Sequence, residues 1–197
     1  DGIGLRDRDG DGLREHPDGT PFHATLEWVD IGTPRGMTME LVVSHWKRVG
    51  IDVSLKQVNR ALQGTRASGN SMQMSIWHGD RTTDVLFPYQ PFWFVPMRVS
   101  WEMSQWPLWA RWTVSGGEEG ERPPPEIRQL IRWWREMNQT AEEERQLELA
   151  DRILESQAEN LWTIGTVGMA PHPVVIHEDL RNVPEQGYFS WDTRMIL

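Results

Sequence analysis

Between residues 22 and 77 the apolar residues change their spacing from one element to the next, and this alternation constrains the fold more than any other feature of the chain. Phe22, Ala24, Leu26 and Trp28 recur every second residue, the pattern of a strand with one buried face. Gly32, Pro34 and Gly36 mark a turn. From Met37 to Val49 the spacing becomes helical, through Met37, Leu41, Val42, Trp46 and Val49, and Gly50 follows as a stop. Ile51–Val58 returns to alternation, with Ile51, Val53 and Leu55 on one face. Asn59–Ala67 reads as a short helix ending near Gly69, and Met72–Trp77 as a third strand. Strands and helices in strict alternation predict an α/β fold with parallel pairing and right-handed crossovers.

The pattern breaks after Trp77. Residues 78–98 combine Pro88, Pro91 and Pro96 with five aromatic residues, a long loop of the kind that is either functional or packed across a core. The stretch Trp101–Trp112 is expected to be helical in part, with Pro107 in a first turn. Ser115–Pro125 reads as an exposed acidic loop. Glu126–Asn138 is amphipathic, with Ile127, Leu130, Ile131, Trp134 and Met137 on one face. Thr140 and Glu143 have capping-box spacing and predict a helix running to about Leu161. Its expected buried face is Leu147, Ala150, Ile153/Leu154, Ala158 and Leu161. Two short β segments are expected at Trp162–Val167 and Val174–His177. The chain thus divides into an acidic loop over 1–21, an α/β lobe over 22–170 and an extended tail over 171–197.

Composition removes several function classes. The 197 residues carry 20 basic and 29 acidic side chains, a net charge of −9, with no basic stripe, so no nucleic-acid partner is expected. No Cys is present, which excludes disulfides, thiolate metal sites and Cys nucleophiles. No apolar run approaches the roughly 18 residues of a membrane span, and no charged-then-apolar leader is visible after Asp1. The six His include no i, i+4 pair, so the helical zinc-protease pattern is missing. The G-x-S-x-G elbow and the glycine-rich phosphate loops are absent too. Carboxylates abound, but no pair stands out as a glycosidase acid and base. The Glu-rich runs at 118–121 and 142–144 read as solvated faces. Tryptophan is over-used, 12 against 2 Tyr and 5 Phe, which points to heavy core use or to stacking surfaces for a ligand.

Two segments carry candidate chemistry. In DRDGDGLREHPD, Asp7, Asp9 and Asp11 occupy positions one, three and five of a twelve-residue calcium loop, and Gly12 takes the sharp turn at six. Glu15 falls at nine, and Asp18 stands at twelve in place of the usual Glu. A structural calcium is one reading; a loop of Asx-turns with solvated acids is the other. The second segment is Trp77-His78-Gly79-Asp80, just past the third strand, where open α/β sheets place their ligands. Trp77 offers a stacking face, and Asp80 a carboxylate for an amine or hydroxyls. The other reading is a strand-end turn with Trp77 in the core.

Together, DRDGDGLREHPDGTPF, HWKRVGIDVSLKQV, MSIWHGD and AENLWTIGTVGMAPHPVVIHEDLRNVP resemble the carboxyl-terminal part of the solute-binding proteins of ABC importers, in the peptide/nickel-binding family 5. The resemblance rests on the order of the motifs and covers nearly the whole chain. It implies one lobe of a two-lobed (type II) periplasmic-binding-protein fold, a mixed sheet flanked by helices, whose tail returns toward the first lobe. It also implies an extracytoplasmic location, at the periplasm or the outer face of the membrane, and an ABC permease as partner. The ligand would be an oligopeptide or oligosaccharide, captured without chemistry and without a required cofactor. In peptide binders of the family an acid in a G-W-x-x-D segment grips the peptide amine, and Trp77 and Asp80 stand at the matching positions. The following G-D-P-D-N pattern is replaced here by Arg81-Thr82-Thr83-Asp84-Val85. The aromatic loop Tyr89–Phe94 suits flat ligand faces, with Trp93 as a third contact. The competing readings are a carbohydrate-binding module with Trp platforms and a glycoside hydrolase fragment.

Overall fold

The computed structural model describes residues 3–31, 35–79, 86–165 and 173–186. The chain forms two compact units, residues 1–77 with 98–122 and residues 78–97 with 123–197.

The first unit is built on a three-stranded sheet in the order β2-β1-β3, from β1 (His23–Trp28), β2 (Asp52–Gln57) and β3 (Met74–Ser75). Both pairings are parallel, Ala24 opposite Val53 and Leu26 opposite both Leu55 and Met74. The sheet is thus parallel throughout the described residues, where the resemblance implies a mixed one. The connections explain this: α1 (Arg35–Lys47) and α2 (Arg60–Ser68) each carry the chain back to the starting end of the next strand. Ala24, Leu26, Val53 and Met39 form a buried cluster, with Trp28, Val42, Val43, Trp46 and Leu55 packed around it. The face of α1 that meets the sheet therefore runs through Met39, Val42, Val43 and Trp46, and Met37, Leu41 and Val49 are exposed. Asn59 caps α2, its Oδ1 accepting from the Leu62 N–H at 2.9 Å. On the other face of the sheet Glu27, 2% exposed, is held by the Arg66 guanidinium of α2 through bonds of 2.5–3.0 Å.

The third strand is shorter than its sequence pattern. Its pairing covers only Met74 and Ser75, because the Gln73 side chain, not a backbone carbonyl, accepts the Thr25 N–H at 2.8 Å. The acidic loop is fastened to the turn between α1 and β2: Arg14 N–H donates to Gly50 O and Arg14 Nε to Val49 O, each at 2.9 Å. After residue 98 the unit closes with α3 (Pro107–Val114), whose Ala110 is fully buried.

The second unit is a helical hairpin of α4 (Pro125–Gln139) and α5 (Glu143–Asn160), with the aromatic loop in the same unit. Asn138 of α4 donates to Pro88 O at 2.8 Å. Ile127, Leu130, Ile131 and Met137 are buried on α4, as their spacing predicts. On α5 the buried residues are Ile153, which the expected face includes, and Leu149, which it does not, whereas Leu147, Leu154, Ala158 and Leu161 are exposed. The expected face is corrected by the turn that precedes it. Thr140 ends α4 and its carbonyl accepts from Gln146 Nε2 at 2.9 Å, and Glu142, not Thr140, stands at the N-cap of α5 without a side-chain bond. The capping box does not form, and α5 presents Leu149 and Ile153 inward. Arg145 ties the hairpin together, bonding Glu136 of α4 at 2.5 Å and Glu148 of its own helix. Residues 162–165 and 174–177 carry no strand, and the end of the first expected β segment, 166–167, lies outside the described residues. No described helix is long and apolar enough to cross a membrane.

Candidate functional site

The carboxyl ends of the three strands bring together side chains from four distant places in the sequence. Trp77 follows β3 and meets Trp101 edge-on, with ring centroids 5.2 Å apart and planes at 80°. The Arg35 guanidinium, at the start of α1, lies over the Trp77 ring at 4.6 Å, and Arg60, at the start of α2, lies over Trp101 at 4.4 Å. Two guanidiniums bracket an indole pair, in the order Arg35, Trp77, Trp101, Arg60, each contact drawing on the negative face or positive edge of an indole. Arg35 is 7% exposed and donates to Val29 O at 3.4 Å. Burial pulls its guanidinium below the ordinary value, and the charge of Asp30 opposes that shift. Ser75 Oγ donates to Ser104 Oγ at 3.0 Å, which fixes the end of β3 to the segment carrying Trp101.

Beside Trp101 an open groove of about 570 Å³ runs along α2, lined by Arg60, Ala61, Gly64, Thr65, Ser68 and Trp101. Gly64 sets its depth. A Cβ there would lie 3.2 Å from the Trp101 Cβ, so a side chain would push the indole away from the helix. The cluster offers aromatic faces, guanidinium donors and a cleft open to solvent, the mix that small-molecule sites use to bind and orient polar ligands.

The sequence-predicted residues fall in different places. Trp77 is in this cluster, half-buried. Asp80 lies outside the described residues. Trp93 belongs to the second unit, where it is 8% exposed and its ring is tilted against Phe92 at 4.7 Å. Arg35, Arg60 and Trp101 carry no motif. Trp101 stands in the Trp-rich stretch, but nothing local shows that it meets Trp77.

In the acidic loop, ligand atoms of Asp7, Asp9, Asp11 and Glu15 come within 4.8 Å of one another. Backbone N–H groups already use part of their capacity: Asp7 accepts from Gly10 and Gly12, Asp9 from Asp11, and Asp11 from Leu13, at 2.7–3.1 Å. Glu15, buried at 5% exposure, accepts from Arg8 N at 2.6 Å. Asp18 stands outside this group. It accepts from the hydroxyl and backbone N–H of Thr20 at 2.7 and 3.0 Å, and the hydroxyl bond above all holds its carboxyl below the usual carboxylate range.

No protein-family model matches the chain, and no curated protein sequence matches it significantly. Solved structures do. An oligopeptide-binding protein, OppA, superposes with a TM-score of 0.68 at 22% identity, over 82% of this chain and 27% of its own. The periplasmic binding protein MelB from Agrobacterium fabrum, in complex with stachyose, gives 0.64 at 19% identity, over 83% and 24%. A mannohexaose-bound periplasmic oligopeptide-binding protein from Thermotoga maritima gives 0.57 at 21% identity, over 82% and 28%. These are two-lobed periplasmic binding proteins, and the chain has the fold of part of one. Within that class the likeness is to the family 5 solute-binding proteins, and the chain spans about a quarter of their length.

Proposed function

We propose that this chain forms part of an extracytoplasmic solute-binding protein that delivers an oligosaccharide or oligopeptide to an ABC permease. The observation that carries the reading is the guanidinium–indole cluster at the carboxyl ends of the strands, in a fold similar to that of proteins whose structures hold stachyose, mannohexaose and peptide. Trp77 and Asp80 contact the solute, and Trp101 and Arg60 extend the site along the groove. Indole faces take the C–H faces of sugar rings, and guanidinium N–H groups bond hydroxyls or carbonyls. A second lobe of the same polypeptide closes over the solute, excludes water and strengthens those polar contacts. Capture needs no reaction, so this role is not enzymatic. The acidic loop is proposed to hold a structural calcium through Asp7, Asp9, Asp11 and Glu15.

Native mass spectrometry of the protein, purified from its host without refolding, tests capture. A retained mass of a few hundred daltons or more is expected, and its fragmentation separates sugar from peptide. Trp101→Ala is then expected to weaken binding by about 2 kcal/mol or more, the size of an anchoring aromatic contact. Unchanged affinity in a folded variant would remove the cluster from the site.

A further inference from the structure

At the opposite end of the sheet, the first residues of β1 and β2 bring together a histidine, an aspartate and a serine. The register sets His23 beside Asp52 and Thr25 beside Ser54. Alternation along each strand puts His23, Asp52 and Ser54 on one face. His23 Nδ1 lies 2.6 Å from Asp52 Oδ2. A carboxylate only accepts, so Nδ1 carries the proton, and in the neutral ring Nε2 is left as an acceptor. The Ser54 hydroxyl is 3.1 Å from Nε2 and donates to it. A nucleophile is thus bonded to a base, and the base is oriented by a buttressing acid. The His23 side chain is 48% exposed and Ser54 is exposed, so a reagent can reach the hydroxyl. Gln73 is anchored one strand away by its Oε1, which accepts the Thr25 N–H at 2.8 Å.

We propose that Ser54 is an activated nucleophile and that His23, Asp52 and Ser54 form an acyl-transfer site for small, activated carboxylic esters. Ser54 Oγ bonds to the ester carbonyl carbon while His23 Nε2 takes the hydroxyl proton. The bond to the leaving oxygen then breaks, and the departing alkoxide or phenoxide takes that proton from His23. Water repeats the sequence on the acyl-serine, releasing the carboxylic acid and restoring Ser54. The rung faces solvent, so the class is limited to esters whose leaving group needs no pocket. The proposal is independent of solute capture.

The test treats the folded protein with p-nitrophenyl acetate and, separately, with a fluorophosphonate, and maps the adducts by peptide mass spectrometry. Modification of Ser54 is expected, with a burst of about one equivalent of p-nitrophenolate followed by slower release as the acyl-serine hydrolyses. Ser54→Ala should remove that adduct. His23→Gln should slow labelling about 10²-fold, the lower end for a positioned general base. Asp52→Asn should slow it as well, because an amide that donates to Nδ1 reverses the tautomer. Labelling of the urea-unfolded chain and the melting temperature of each variant are measured alongside. No adduct on Ser54, or equal labelling of wild type, His23→Gln and unfolded chain, would overturn the proposal. A trio that only clasps two strands would lower the melting temperature of the variants without changing those rates, which also overturns it.

Discussion

Gly50 illustrates how one residue links three segments. It sits at φ +83°, in the left-handed region that glycine enters without cost. A Cβ there would stand 2.9 Å from Arg14 Cγ and 3.1 Å from the carbonyl oxygen of Gly12. The Arg14 side chain could swing aside, but the Gly12 carbonyl is backbone of the acidic loop, where the Gly12 N–H donates to Asp7. Gly50→Ala is therefore expected to destabilise the first unit by about 1–2 kcal/mol from the backbone alone, with the contact adding to it. Denaturant unfolding measures this, and a loss below a few tenths would mean that the turn relaxes freely. Position 50 was legible in the sequence as a helix stop. Its approach to Gly12 was not, since that depends on where residues 38 positions apart come to rest. The same holds for the site. Trp77 could be singled out because it follows a strand, whereas Arg35, Arg60 and Trp101 become its neighbours only through the crossovers.

Among the elements, α5 separates pattern from packing most clearly. Its sequence carries two apolar stripes, one through Leu147, Leu154 and Leu161 and a narrower one through Leu149 and Ile153. The expected core face combines the wider stripe with Ile153, yet Leu149 and Ile153 are the residues that are buried, both fully inaccessible. The three-residue turn after Gln139 fixes the rotation of α5 before its apolar surface can choose, and Arg145 holds that rotation through Glu136. Ile153→Ala is expected to cost about 2–5 kcal/mol, as for large-to-small changes in a packed core. Leu154→Ala, at a residue 43% exposed, should stay within about 0.5 kcal/mol. Equal losses in chemical denaturation would show that both stripes are buried in solution. β3 is the converse case. Its alternation over Met72–Trp77 reads as a full strand, but pairing stops at Ser75 as the chain turns toward Trp101.

At the scale of the whole molecule, an ion in the acidic loop is read as global stability. A calcium bound only to the folded chain contributes RT ln(1 + [Ca]/Kd), about 2.7 kcal/mol at a hundredfold excess over Kd. Melting in millimolar calcium is expected above melting in chelator, and Asp7→Asn should shrink the difference. Identical melting curves would remove the ion and leave a loop held by its own backbone N–H groups. The sequence by itself determined the α/β class, the order of the first five elements, the amphipathic face of α4 and the resemblance to solute-binding proteins. Those features rest on periodicity and on short segments whose meaning is local. Tertiary structure alone decided the division into two units, the buried face of α5, the Arg35–Trp77–Trp101–Arg60 stack and the His23–Asp52–Ser54 trio. Each of these joins side chains from separate segments. Which residues meet there depends on strand register, crossover path and helix rotation, quantities set by the packing of the folded chain and absent from the spacing of residues along it.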